Sequence, residues 1–113
     1  MSGITTHVLD TAKGRPAAGV PVTLERRTSD ATWDLVGRGA TDADGRLRDL
    51  LKDRALEAGT WRITFEVASY HRAQGVDGFY PEVAVTFVVG DAGAHYHVPL
   101  LLSPFGFSTY RGS

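Results

Sequence analysis

A chain of 113 residues with 12 basic and 13 acidic side chains and a formal charge of -1 is long enough to remove about two-thirds of its unfolded surface from water around one core. Balanced charge with no Lys/Arg block leaves no electrostatic footprint for nucleic acid or an anionic membrane. The sequence has no cysteine, which excludes a disulfide framework and a thiolate metal site, and no apolar run approaches the ~20 residues that span a bilayer.

Turn signals cut the rest into short segments, several of which alternate apolar and polar residues with the period of a half-buried strand. The N-terminal "MSGITTHVLD" lacks a basic region followed by an apolar run, so a soluble cytoplasmic protein is expected. Its continuation, 4–11, reads as a first strand with Val8 on one face and Thr5, His7 and Leu9 on the other. After "AKGRP", the stretch "VPVTLERR" sets Val20, Val22 and Leu24 on one side. A strand over 32–41 ends at the turn "DADG". "LRDLLKDRALEAG" has helical propensity but is short enough to be an irregular crossing between sheets. In "WRITFEV", Trp61, Ile63, Phe65 and Val67 share a face, and "ASYHRAQG" reads as one or two helical turns with His71 on the surface. Val83, Val85, Phe87 and Val89 line up in "EVAVTFVV", and strands over 94–102 and 107–111 follow. Seven or eight short strands with one short helix predict an all-β sandwich. With no repeat, linker or low-complexity tract, 1–113 is expected to be a single domain.

Histidine is the side chain whose ordinary pKa is nearest neutrality, so the four histidines are where acid/base chemistry is sought. His95 and His97 share a face with Pro99 and Leu101, while Tyr96, Val98, Leu100 and Leu102 form the more apolar one. His97 is therefore expected to face away from the core, where an ordinary solvated strand histidine is the bland alternative. The H-x-H pair could offer two ligands to zinc, but no further ligands are evident and no metal is expected. "TDADGR" begins like a calcium loop, yet Ala40 and Leu51 would stand at the first and last ligand positions, so it is a turn whose interest is Arg46. There is neither a G-x-S-x-G elbow nor a phosphate-binding glycine loop. Any hydrolysis is expected to use water directly, without a cofactor.

The stretches "THVLDTAKGRPAAGVPVTL" and "YHVPLLLSPFGFSTYRGS" resemble the two signatures of the transthyretin superfamily, and "ATWDLVGRGATDADGRL" with "GTWRITFEVASYHRAQGVDGFYPEVAVTF" resembles its middle strands and short helix. The resemblance covers nearly the whole chain. It implies an eight-stranded transthyretin-like β-sandwich with one short helix, assembled as a homotetramer, a dimer of dimers with sites in a channel between dimers. The family contains small-molecule carriers and enzymes that hydrolyse 5-hydroxyisourate, the oxidised purine, to 2-oxo-4-hydroxy-4-carboxy-5-ureidoimidazoline in urate degradation. The enzymes carry a histidine in the first strand, an arginine after the D-x-D-G-like turn, a histidine in the penultimate strand and a Tyr-Arg-Gly-Ser tail, where the carriers hold lysine, glutamate and threonine and a different tail. Here those positions are His7, Arg46, His97 and 110–113.

The resemblance thus implies a 5-hydroxyisourate hydrolase, with an aromatic-ligand carrier as the alternative. Catalysis would rest on His7, Arg46, His97 and Tyr110, with Arg111, Gly112 and Ser113 binding or orienting. Which histidine is the base depends on tautomer and neighbouring charge.

Overall fold

Period-two alternation governs the chain wherever it is straight: in β1 (Gly3–Asp10), Ile4, Thr6, Val8 and Asp10 are buried while Thr5, His7 and Leu9 are half-buried. The computed structural model describes residues 3–113, and the first two residues of the expected 1–113 unit lie outside the described residues. The other strands are β2 (Arg15–Pro16), β3 (Pro21–Ser29), β4 (Thr32–Ala40), β5 (Arg46–Leu47), β6 (Gly59–Phe65), β7 (Val83–Val89), β8 (His95–His97), β9 (Leu100–Ser103) and β10 (Gly106–Thr109). Apart from the two-residue strands β2 and β5, these are the eight strands expected. A single helix, α1 (Val67–Ala73), follows β6.

Two sheets face each other. One is antiparallel throughout, in the order β4-β3-β6-β7. The other is built around β1, with β8 and β9 parallel to it on one side, β2 and β5 antiparallel to it, and β10 beyond β9. Trp61, Ile63, Phe65, Val22 and Leu24 from the first sheet meet Ile4, Val8, Tyr96, Val98, Leu100 and Leu102 from the second in one core. Each large side chain removed from water there contributes about 1.5–3 kcal/mol.

The structure settles one alternative that the sequence left open and departs from the sequence reading at two places, each with a physical cause. The segment after β5 is not helical: Lys52 and Asp53 take positive φ angles of 53° and 69°, a conformation a right-handed helix cannot contain. Leu50 and Leu56 anchor it to the core as an irregular crossing. The 94–102 strand is split into β8 and β9, because Pro99 has no N–H to give its neighbour. His71 is buried at 3% exposure, not on the surface. Val67, Tyr70 and His71, at i, i+3 and i+4, form the inner stripe of α1, and a two-turn helix can hold to the sandwich only by burying such a stripe. Beside it the Tyr70 hydroxyl donates to Asp10 Oδ2 at 2.7 Å. Burial first, and that carboxylate second, push the Tyr70 phenol up to about 12. Among the described residues no helix is long and apolar enough to cross a membrane.

Candidate active site

The polar face of β1 becomes a site because its ladder is incomplete on both sides. Thr5 pairs with His97 and Val8 with Leu100, the same register on either side of the break, so Pro99 stands level with His7 and leaves the ladder open there. On the opposite edge, β5 is only two residues long and sets Arg46 directly across from His7. The "DADG" turn delivers that pairing. Asp42 Oδ1 accepts from the main-chain N–H groups of Asp44 (2.9 Å) and Arg46 (3.0 Å). These N–H donors, the Arg46 one foremost, hold the Asp42 carboxyl below its ordinary value of 3.8. Gly45 takes φ 75° and its carbonyl accepts from Val8 N at 2.8 Å. A Cβ on Gly45 would lie 2.4 Å from the Val8 carbonyl oxygen, so only glycine lets the turn lie against β1.

A cleft of about 570 Å³ opens over this face, lined by Thr5, Arg46, His95, His97 and Ser113 and walled by the 48–54 crossing. That wall is mixed in charge: Arg48, Lys52 and Arg54 stand among Asp49 and Asp53, and Lys52 pairs with Asp49 at 3.5 Å. Among the described residues no carboxylate lies within ion-pair distance of Arg46. Its guanidinium is therefore available to an oxygen brought into the cleft.

His97 is half-buried, and its ring is held on two edges. Nδ1 lies 2.8 Å from Thr5 Oγ1. On the other edge Gly112 bridges back, its N–H donating to the His97 carbonyl at 2.8 Å, and a Cβ there would come within 2.6 Å of His97 Cδ2. Gly112 thus serves as a flat backing for the imidazole. Burial, then the charge of Arg46, then His7 and His95 hold His97 below the ordinary histidine value of 6.5. Each of these favours the neutral ring, the form that can accept a proton. His7 does not line the cleft; it is paired with Arg46 across the β1–β5 ladder, with Nε2 2.9 Å from the Asp44 carbonyl oxygen. A carbonyl only accepts, so that nitrogen carries the hydrogen and Nδ1 is the atom left open in the neutral ring.

His97, Arg46 and Ser113 therefore line one cleft, with Gly112 behind His97, while His7 lies outside that lining as the ladder partner of Arg46. Tyr110 and Arg111 do not share it within one chain. The Arg111 guanidinium lies over the Tyr96 ring at 4.5 Å, and Tyr110, 56% exposed, borders a small apolar groove with Phe87 and Val88. Sequence reasoning missed Thr5, whose hydroxyl touches both His97 and His95, at 2.9 Å from His95 Nε2. The available signal was its i, i+2 relation to His7 on one strand face. The 48–54 wall was also missed, since nothing in its pattern says that it folds over β1.

Known proteins match the chain over nearly its whole length. The HIUase/Transthyretin family model matches residues 4–112. A protein of Deinococcus radiodurans named 5-hydroxyisourate hydrolase is 49% identical over 115 aligned positions, covering 98% of this chain and 96% of that one. The structure of Klebsiella pneumoniae 5-hydroxyisourate hydrolase superposes with a TM-score of 0.87 at 34% identity, covering all of both chains. Sea bream transthyretin in complex with thyroxine superposes at 0.91 with 32% identity, over 97% of this chain and 94% of that one. The chain belongs to the HIUase/Transthyretin family.

Proposed function

We propose that this chain is a 5-hydroxyisourate hydrolase and that His97, Arg46 and His7 do the chemistry at the cleft over β1. The observation that carries the reading is the His97 imidazole and an Arg46 guanidinium with no carboxylate partner among the described residues, lining one cleft in a sandwich that relatives of that activity share. Water adds to the carbonyl carbon of an amide-type C–N bond in the six-membered ring, and His97 Nε2 takes its proton. Charge collects on the carbonyl oxygen, where the Arg46 fork donates to it. The C–N bond then breaks, the ring nitrogen takes a proton back from His97, and the carbon keeps the new oxygen as a carboxylic acid that gives its remaining proton to solvent to become a carboxylate. His7, with Nε2 tied to Asp44, offers Nδ1 to the substrate's polar edge. No step requires a metal or cofactor.

The assembly proposed is a homotetramer, a dimer of dimers, acting in the cytoplasm. Exposed Tyr110 and its apolar groove support it, because a second copy seated there would carry Tyr110 and Arg111 toward a shared site. Four copies of 12.2 kDa should elute at about 49 kDa. The decisive test is turnover. Fresh 5-hydroxyisourate should lose its near-UV absorbance faster with the protein than without, before and after dialysis against a chelator. A protein that bound the compound and left its decay unchanged would be a carrier.

A further inference from the structure

The Thr5 hydroxyl lies between two imidazoles, and a hydroxyl has only one proton to give. At 2.8 Å from His97 Nδ1 and 2.9 Å from His95 Nε2 it hydrogen-bonds both rings, so their tautomers are coupled through it. If Thr5 donated to His97 Nδ1, the neutral His97 ring would carry its hydrogen on Nε2 and present a donor to the cleft. If Thr5 instead accepts from His97 Nδ1–H, its own proton is free for a lone pair on His95 Nε2, and His97 Nε2 holds a lone pair. The ring geometry says where that lone pair points. Nδ1 is against Thr5 and Cδ2 against Gly112, so the remaining edge, carrying Nε2, projects away from the sheet into the cleft.

We infer that Thr5 and His95 are positioning residues of the hydrolase: His95 draws the Thr5 hydroxyl proton away from His97, and Thr5 thereby fixes His97 in the tautomer whose Nε2 can deprotonate water. This rests on the hydrolase reading for its consequence, but not for its geometry. Enzymes commonly orient a catalytic histidine with a carboxylate, whose charge stabilises the imidazolium and makes the ring more basic. A neutral hydroxyl orients without that charge. Among the charged and titratable groups around His97, Arg46 on β5, His7 on β1 and His95 on β8 itself each disfavour its protonation, and Arg48, Asp49, Lys52, Asp53 and Arg54 of the crossing line the same cleft.

The test pairs Thr5→Val, which deletes the hydroxyl at nearly constant volume, with Thr5→Ser, which keeps it, and with His95→Ala at an exposed position. Imidazole nitrogen chemical shifts of ¹⁵N-histidine protein at pH 8 read the His97 tautomer whether or not turnover occurs. The wild type and Thr5→Ser should hold the hydrogen on Nδ1, while Thr5→Val and His95→Ala should move a substantial fraction to Nε2. In turnover, Thr5→Val should lower kcat about tenfold with KM nearly unchanged, the signature of a lost interaction that acts in the chemical step. Thr5→Ser should restore most of it. Wild-type His97 with its hydrogen on Nε2 would overturn the inference, as would both Thr5→Val and His95→Ala keeping it on Nδ1. Failure of the hydrolase reading would appear separately, as a wild type with the expected tautomer and no turnover.

Discussion

The two sheets of this sandwich are built from similar residues and do different work. In β4-β3-β6-β7 the central strands pair over most of their length, Val22 with Phe65 through Arg26 with Trp61, and the alternation of one strand continues into the next. Among the described residues its irregularities are two bulges between β3 and β4: Leu24 faces Gly37 and Glu25 faces Leu35, so Val36 is extra, and Arg27 faces Trp33 while Ser29 faces Thr32, so Thr28 is extra. The β1 sheet has no such continuity. Its ladder is opened by Pro99 on one side of β1 and reduced to two residues at β5 on the other, and His7, Arg46 and His97 gather around these interruptions. A complete ladder stabilises a fold. An interrupted one exposes side chains at close quarters, which is what a site needs.

That difference sets the first prediction, which crosses a stability change in one sheet with an activity change in the other. Trp61 is fully buried in β6 and donates Nε1–H to the Glu57 carbonyl at 2.9 Å. Trp61→Ala should cost about 3–5 kcal/mol of unfolding free energy. His97→Asn should lower turnover by ~10²-fold or more, as loss of a general base usually does, with a denaturation midpoint near that of the wild type. Urea unfolding and initial rates measured on both variants check the pair. If His97→Asn unfolded as readily as Trp61→Ala, or Trp61→Ala stayed folded with little loss, the division of labour between the sheets would be wrong.

The next effect is smaller and tests the correction at His71, where the helix rather than either sheet is at stake. Its ring packs at 5.6 Å edge-on to Tyr70, and Nε2 is buried with no hydrogen-bond partner among the described residues. His71→Asn would leave a void and set a new amide in an apolar site, and should cost about 1–3 kcal/mol. Activity per folded molecule should hardly change, because His71 is remote from the cleft. Thermal unfolding and specific activity of the soluble fraction decide it. An unchanged midpoint would return His71 to the surface, where the sequence alone put it.

His71 also shows where legibility in the sequence stopped. Strand faces were readable because period two is a local rule, and Val22, Leu24, Trp61, Ile63 and Phe65 are all buried as their alternation required. A helix of seven residues offers too few positions for a stripe to be distinguished from chance, so burial of His71 depends on what α1 lands on. The resemblance to a family supplied His7, Arg46 and His97 as candidates. It could not supply their tautomers, which are set by Asp44 and Thr5, residues that reach them only through strand register. Tyr110 marks the other limit: its expected place among catalytic groups requires a surface that one chain does not make.

The smallest effect expected is at the turn that carries Arg46, and it concerns acid pH. Asp42 binds two main-chain N–H groups through Oδ1, and its carboxyl is held below 3.8 in the folded protein by the Arg46 N–H first, against a smaller opposing contribution from burial. A carboxyl with a depressed folded value gives stability that is fully present above its unfolded value and is lost as pH falls through the folded one. Asp42→Asn keeps the accepting oxygen and so the turn, but removes the titration. At neutral pH, activity should stay within a factor of about two, since the Asx turn and the position of Arg46 survive. Below pH 3.8 the wild type should lose stability more steeply than the variant, because only its side chain must take up a proton there. Urea midpoints compared at neutral pH and through the acid range measure both slopes. Parallel slopes would mean that Asp42 does not titrate with folding. A large loss of activity at neutral pH would mean instead that the charge itself, and not the turn it closes, sets Arg46 opposite His7.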